Sequence, residues 1–138
     1  MGFSDFLKKF ALSMATRCGV VASGEYEGCG IVFGNPPKAK VETANSFSQM
    51  IFVKDKEEKA RLDIAKEVLQ VEYIETIQFP KTGKDGYRCT VTTPKGETYD
   101  IDVFPSSSLR MLYASLKAYM TKETRELVEE QIKKLSQA

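Results

Sequence analysis

Apolar and polar residues at the start of the chain follow the spacing of one face of an α-helix. Large apolar side chains recur three or four positions apart through residues 3–14, which is typical of an amphipathic helix. Ser4 is suited to the N-cap, and Asp5 falls in the first turn, where the helix dipole favours a carboxylate. We therefore predict an amphipathic N-terminal helix within residues 1–16. Its apolar residues, called the N-terminal stripe below, are Phe3, Phe6, Leu7, Phe10 and Met14.

Beyond this helix the pattern changes to short apolar runs that glycines interrupt. Residues 17–33 hold four glycines, and each would destabilise a helix by about 1 kcal/mol relative to alanine. Two short strands around a turn at Ser23-Gly24 fit this composition better. Further strands are predicted at residues 50–53 and 71–77, where apolar residues predominate.

Residues 55–69 allow two interpretations. As a helix, the segment has high propensity, but its apolar residues spread around the helical wheel. As strands, Leu62 and Ile64 alternate with charged neighbours, and the charged run at residues 54–59 becomes a hairpin turn. We favour the hairpin; a helix here would change the architecture to an α+β fold with fewer strands.

The strongest strand signal lies at residues 87–103. Apolar and polar residues alternate on both sides of Pro94-Lys95-Gly96, where proline suits the first corner of a type I turn and glycine the left-handed position after it. We predict an antiparallel hairpin with one buried and one solvent-facing side. The side expected to be buried consists of Tyr87, Cys89, Val91, Thr93, Tyr99, Ile101 and Val103.

Helical patterns return at the end of the chain. Pro105 and the serines after it interrupt the strand pattern and offer N-caps. Apolar residues within 109–120 share one helical face, and Thr121 or Thr124 can begin a second helix. The whole pattern predicts a mainly β (α+β) fold. It comprises a curved antiparallel sheet or partly open barrel of about six to eight strands in meander order, the N-terminal helix, and one or two C-terminal helices.

The composition narrows the possible functions. With 138 residues, the chain has the size of a single domain. Its 20 basic and 19 acidic residues leave a net charge of +1, which gives no overall field to attract nucleic acid. The sequence contains no histidine, the commonest general base and the commonest metal ligand. We therefore expect no nucleic-acid partner, no cofactor and no metal site.

The cysteines and the length of the apolar runs indicate where in the cell the protein is expected. Cys18, Cys29 and Cys89 are an odd number at wide spacing, which fits neither a disulfide framework nor a zinc site. We expect three reduced thiols in a cytoplasmic protein. No window approaches the roughly 18 apolar residues of a membrane span, so no transmembrane segment is expected.

Two sequence features could carry chemistry, and both have a simpler structural explanation. Residues 28–34 are rich in glycine, but Phe33 stands where a dinucleotide-binding loop has its third glycine, so a turn or bulge is expected. Asp100 and Asp102 share one face of a strand, as charged residues on any solvent-facing strand do. We therefore assign no catalytic residue and predict that the protein is not an enzyme.

The order of these segments resembles that of bacterial pleckstrin-homology-like (PH/GRAM-like) domains. The similarity is one of pattern and covers residues 17–120, from the first glycine-rich strands to the helix after Pro105. It leaves residues 1–16 as an N-terminal helix and 121–138 as a C-terminal helical extension. The resemblance implies curved antiparallel sheets capped by a C-terminal helix, and a scaffold for protein contacts that often self-assembles. The basic cluster of lipid-binding members is absent near the first hairpin, so headgroup binding is not carried over.

Two functions from different classes follow. The first is a non-enzymatic binding or assembly module that contacts a protein partner, or a second copy, through a sheet edge or the N-terminal stripe. The stripe could instead cover its own sheet, whereas only two flanking lysines support a peripheral membrane contact. The alternative is a small-molecule or lipid-binding domain with an apolar pocket between the sheet and the C-terminal helix. Its lining would include Tyr73, Tyr99, Tyr113 and Tyr119.

Overall fold

The computed structural model describes residues 17–35, 47–81, 83–106 and 108–137, with side chains described as far as residue 135. The N-terminal helix predicted within residues 1–16 lies outside these ranges. Seven strands are described: β1 (Gly19–Val21), β2 (Gly30–Gly34), β3 (Gln49–Lys54), β4 (Glu57–Asp63), β5 (Gln70–Gln78), β6 (Asp85–Thr92) and β7 (Thr98–Val103). The described helices are α1 (Ile64–Glu67), α2 (Leu109–Leu116) and α3 (Lys122–Gln137), with a 3-10 turn at Lys117–Tyr119.

The seven described strands form one open antiparallel sheet in the order β4-β3-β2-β1-β7-β6-β5. The mainly β fold is therefore confirmed. Meander order holds from β1 to β4 and from β5 to β7, but it is wrong between β4 and β5. These two strands are consecutive in the chain and lie at opposite edges of the sheet, and the short connection through α1 joins them.

The β3–β4 connection decides between the two interpretations of residues 55–69. Asp55 and Lys56 have φ values of 54° and 64°, so both adopt the left-handed conformation that a two-residue hairpin turn requires. The hairpin interpretation is confirmed, with a shorter turn than expected, because Glu57 already belongs to β4. Ile64 does not continue the strand; it begins α1, a single helical turn.

The β6–β7 hairpin is present, as predicted. Tyr87 pairs with Val103, and Cys89 with Ile101, so the alternating apolar residues share one face of the sheet. These four side chains are buried. Gly96 has a φ of 85°, as expected for the left-handed position at the end of the turn.

Both C-terminal helices are present. Leu109, Leu112 and Leu116 of α2 lie on one stripe and are buried against the sheet, and each such leucine stabilises the fold by roughly 1.5–3 kcal/mol. The face of the sheet in contact with this core is called the inner face below. Thr121 begins α3 as predicted, since its Oγ1 accepts the backbone N–H of Thr124 at 3.3 Å. No helix among the described residues has the length and apolar character needed to cross a membrane.

Candidate functional site

The N-terminal stripe, the predicted partner contact, lies outside the residues that the structure describes. Phe3, Phe6, Leu7, Phe10 and Met14 therefore remain a prediction. The described residues nevertheless show what the faces and edges of the sheet offer to a partner.

Asp100 and Asp102 occupy the outer face of β7, opposite the inner face, and both have partners on β6. Arg88 donates from Nε to Asp102 Oδ1 at 2.8 Å and from Nη2 to Oδ2 at 3.0 Å, which is a bidentate pair. This hydrogen bonding raises the pKa of Arg88. Thr90 Oγ1 donates to Asp100 at 2.8 Å. The carboxylates thus link two strands and are not presented to a substrate. Asp102 is 8% exposed, so describing this side of the hairpin as solvent-facing is wrong at that position.

The described residues hold no group of three or more cysteine, aspartate or glutamate side chains placed to bind a metal ion. The thiols are also poor nucleophiles. Cys18, Cys29 and Cys89 are free and buried. Burial raises the pKa of Cys18 to about 11, against a smaller opposing effect of its hydrogen bond with Ser108, and raises the pKa of Cys89 to about 12. Both thiols are therefore protonated at neutral pH, whereas the reactive form of cysteine is the thiolate.

The glycine-rich segment forms a turn and a strand, as expected. Gly28 has a φ of 89° at the end of the β1–β2 turn, and Gly30 opens β2. A phosphate-binding loop needs its backbone N–H groups at the start of a helix. Because a strand follows this segment, it lacks that geometry.

Three of the four tyrosines of the expected cleft contact residues outside that set. Tyr73 contacts the ring of Tyr87 at a centroid distance of 5.8 Å, and the Tyr113 hydroxyl donates to Glu129 between α2 and α3. Tyr99 instead packs edge-on against Phe52, at 6.0 Å. The leucines of α2 fill the space between sheet and helix where the pocket was expected. That location for a tyrosine-lined pocket is therefore not supported.

Two cavities lie elsewhere. One, of about 240 Å³, is at the β1–β2 turn and is lined by Tyr26, Phe52, Tyr99 and Glu67 among others. The hydroxyl of Tyr99 is buried and has no hydrogen-bond partner among the described residues. The other cavity, of about 620 Å³, is open and mainly apolar. Its lining consists of Phe79, Pro80, Lys81, Lys84, Phe104, Pro105 and Ser106.

The two edges of the sheet differ in chemistry. On the β4 edge, Lys59 contacts Glu57 at 3.1 Å and Arg61 contacts Glu58 at 2.6 Å. Charged residues of this kind protect an edge strand from pairing with another chain. The opposite edge is β5, where Ile74 lies at a bulge between Tyr73 and Glu75 and is 50% exposed.

The first half of the β5 edge is already covered. Val71 O accepts the N–H of Thr121 at 3.2 Å, and Tyr73 N donates to Thr124 Oγ1 at 2.8 Å. From Ile74 to Gln78 no described strand lies beside β5. The sequence did not single out this open segment. The adjacent apolar residues Tyr73 and Ile74, which break the strand alternation, were the available signal.

Comparisons with known proteins identify no family for this chain. No protein-family model, curated protein or solved structure matches the chain. The function is therefore inferred from the geometry of the described residues.

Proposed function

We propose that the protein is a non-enzymatic assembly module that associates with a second copy of itself by strand pairing along the open half of β5. The observation that carries this proposal is the difference between the two edges of the sheet. The β4 edge is charged and internally ion-paired, whereas residues 74–78 of β5 carry one charged residue, no lysine and no proline. An exposed edge without such protection is a template for pairing with another chain.

The open segment is compatible with pairing to itself. A two-fold axis through Thr76 would place each copy antiparallel to the other, with residue 74 opposite 78 and residue 75 opposite 77. Glu75 would then face Ile77, so the pairing brings no like charges opposite each other. Glu75 also lies 3.6 Å from Arg88 of its own chain, which reduces its free charge at the contact.

The experiment compares two exposed apolar residues. Ile74→Lys places a charge on the open edge, whereas Leu69→Lys makes the same change at a residue that is 58% exposed, before β5 begins. We expect light scattering after size exclusion to give an oligomer for the wild type and for Leu69→Lys. Ile74→Lys should have the monomer mass of 15.5 kDa. Both substitutions are at the surface and should change stability by less than about 0.5 kcal/mol. A monomeric wild type, or an Ile74→Lys variant that still associates, would contradict the proposal.

The resemblance to pleckstrin-homology-like domains is part of the same proposal. It is supported by seven antiparallel strands followed by a C-terminal helix that packs on the sheet. Its implied role, a scaffold for protein contacts, agrees with the proposed assembly function, although a fold does not by itself fix a function. The three reduced, buried thiols support the proposed cytoplasmic location.

A second candidate function, binding of a small organic cation, is favoured by the cavity at Tyr99. Tyr26 and Phe52 have ring centroids 5.5 Å apart, and Tyr99 contacts Phe52 edge-on at 6.0 Å. Glu25 and Glu67 also line the cavity. Aromatic faces and carboxylates together attract ammonium groups, and Tyr99 is part of this lining.

The matched probes for this cavity are choline and 3,3-dimethylbutanol, its neutral isostere. If the cavity binds cations, choline raises the melting temperature and the neutral alcohol does not. Tyr99→Leu removes the aromatic ring from the lining, and it should weaken the choline response. Equal responses to both compounds, or none to either, would contradict cation binding.

A further inference from the structure

The outer face of the sheet carries buried apolar residues that the described helices do not cover. Val32, Ile51 and Val53 are 6%, 4% and 1% exposed and form a cluster separate from the main core. Val32 pairs with Ile51 across β2 and β3, and both point away from the inner face. All buried apolar side chains of α1, α2 and α3 belong to the other cluster. Groups other than these helices therefore cover the three residues on the outer face.

The same face continues as apolar surface on the far side of β1. The Phe79 ring lies against Gly86 of β6, where an added Cβ would collide with it. Phe79 also contacts Phe104 edge-on, with ring centroids 5.1 Å apart, beside the 620 Å³ cavity. The resulting surface is called the outer apolar band. It consists of Val32, Ile51, Val53, Phe79 and Phe104.

The chain enters the sheet in the middle of this band. Cys18 O accepts the N–H of Phe104 at 3.0 Å, and Cys18 N donates to Ile31 O at 2.8 Å. The Arg17 side chain lies over Gly30 on the outer side, so closely that a Cβ at Gly30 would be 2.5 Å from Arg17 Nε. Arg17, the first described residue, therefore lies beside the band.

We propose that the N-terminal stripe docks on the outer apolar band of its own chain. Gly86 on β6 and Ile51 on β3 are separated by four inter-strand spacings. Measured across the strands, the band therefore spans roughly 19 Å. A helix over residues 3–14 would be about 18 Å long, which matches the band. Residues 15–17 reach about 10 Å when extended, enough to place the end of this helix at either end of the band.

The other segment outside the described ranges fits the band less well. Residues 36–46 contain one large aliphatic side chain, Val41, together with two prolines, two lysines and a glutamate. The N-terminal stripe supplies three phenylalanines, a leucine and a methionine at helical spacing. The open cavity beside Phe79 and Phe104 provides room for such aromatic side chains. The stripe is thus assigned to cover its own sheet, and the β5 edge is left as the contact between copies.

The test is a thermal double-mutant cycle in the full chain, carried out with Ile74→Lys present so that pairing at β5 does not affect the result. Phe10→Ala and Ile51→Ala each remove a large apolar side chain, and each should lower the melting temperature by roughly 10 °C. If the two residues are in contact, the melting temperature of the double variant falls by clearly less than the sum of the two single shifts. Lys9→Ala, on the polar side of the helix, is the control and should be additive with Ile51→Ala.

Each alternative gives a different result. Additive shifts for Phe10→Ala and Ile51→Ala would overturn the proposal. A second cycle uses Val41→Ala in place of Phe10→Ala. Coupling between Val41→Ala and Ile51→Ala would assign the cover to residues 36–46, and it would also overturn the proposal. Coupling that disappears on dilution, with a dimer mass in light scattering, would mean that the stripe docks on a second copy. Coupling that is independent of protein concentration, in a monomer, is the result we expect.

Discussion

The Arg88–Asp102 pair shows how a charged group is held on the outer face of the sheet. The carboxylate is almost buried, and both of its oxygens accept hydrogen bonds from one guanidinium. About a third of the arginine side chain remains exposed. Solvent therefore screens the attraction in part, and the contribution of the pair is smaller than that of a fully buried one.

We predict that Arg88→Met lowers the free energy of unfolding by about 1–2 kcal/mol, because Asp102 is left without its hydrogen-bond donor. Denaturant titration measures this loss. The double variant Arg88→Met/Asp102→Leu should recover most of it, since neither charge then remains unpaired. If Arg88→Met is as stable as the wild type, the pair has no structural role.

The buried thiols make stability depend on alkaline pH. The folded protein holds the pKa of Cys89 at about 12 and that of Cys18 at about 11, above the ordinary value of 9.0. Above pH 9 the unfolded chain releases these protons while the folded chain keeps them. Stability is therefore complete below pH 9 and is lost as the pH rises toward 12.

The corresponding measurement is the free energy of unfolding as a function of pH. We expect it to fall between about pH 9 and pH 11 in the wild type. Cys89→Ala lowers stability at pH 7, because it leaves a small cavity, but it should make the alkaline fall shallower. The same slope in both proteins would show that Cys89 does not contribute to the pH dependence.

At the scale of single elements, the β3–β4 turn contains the clearest local strain. Lys56 has a φ of 64°, a conformation that costs a side chain with a Cβ about 1 kcal/mol or more. We predict that Lys56→Gly raises the free energy of unfolding by about 1 kcal/mol. The same change at Lys54, which is a β3 residue, should lower it. Calorimetry of the two variants distinguishes these opposite signs; a destabilised Lys56→Gly would contradict the turn geometry.

The contact between α3 and β5 limits how much of the edge is open. Thr124 is buried, and its Oγ1 accepts the Tyr73 N–H while also bonding to Thr121. Thr124→Val keeps the shape but leaves that N–H without a partner, which should cost about 1–3 kcal/mol. Faster amide exchange at Tyr73 would accompany the loss. Unchanged exchange at this amide would mean that α3 does not protect the edge.

Local patterns were enough to predict several elements. The β6–β7 hairpin follows from strict alternation and a turn sequence, and α2 follows from leucines on one stripe. Ile64 was misassigned because it continues the alternation of β4, although a helical turn begins there. The alternation that identifies a strand contains no information about where the chain turns next.

At the scale of the whole molecule, strand order and the second buried face were not predicted. Placing β4 and β5 at opposite edges depends on contacts between distant segments, which periodicity does not encode. The unbroken apolar runs at residues 31–33 and 50–53 were the available signal for burial on both faces of β2 and β3. The exposure of Ile74 on an edge becomes visible only when the sheet order is known.

The most direct test of the assembly proposal is hydrogen–deuterium exchange of the wild-type protein at low and high concentration. Pairing along β5 predicts that the amides of residues 74–78 become more protected as concentration rises, because they then donate to a second chain. The amides of β4, on the charged edge, should exchange at the same rate at both concentrations. Exchange at residues 74–78 that does not depend on concentration would contradict the assignment of β5 as the contact between copies.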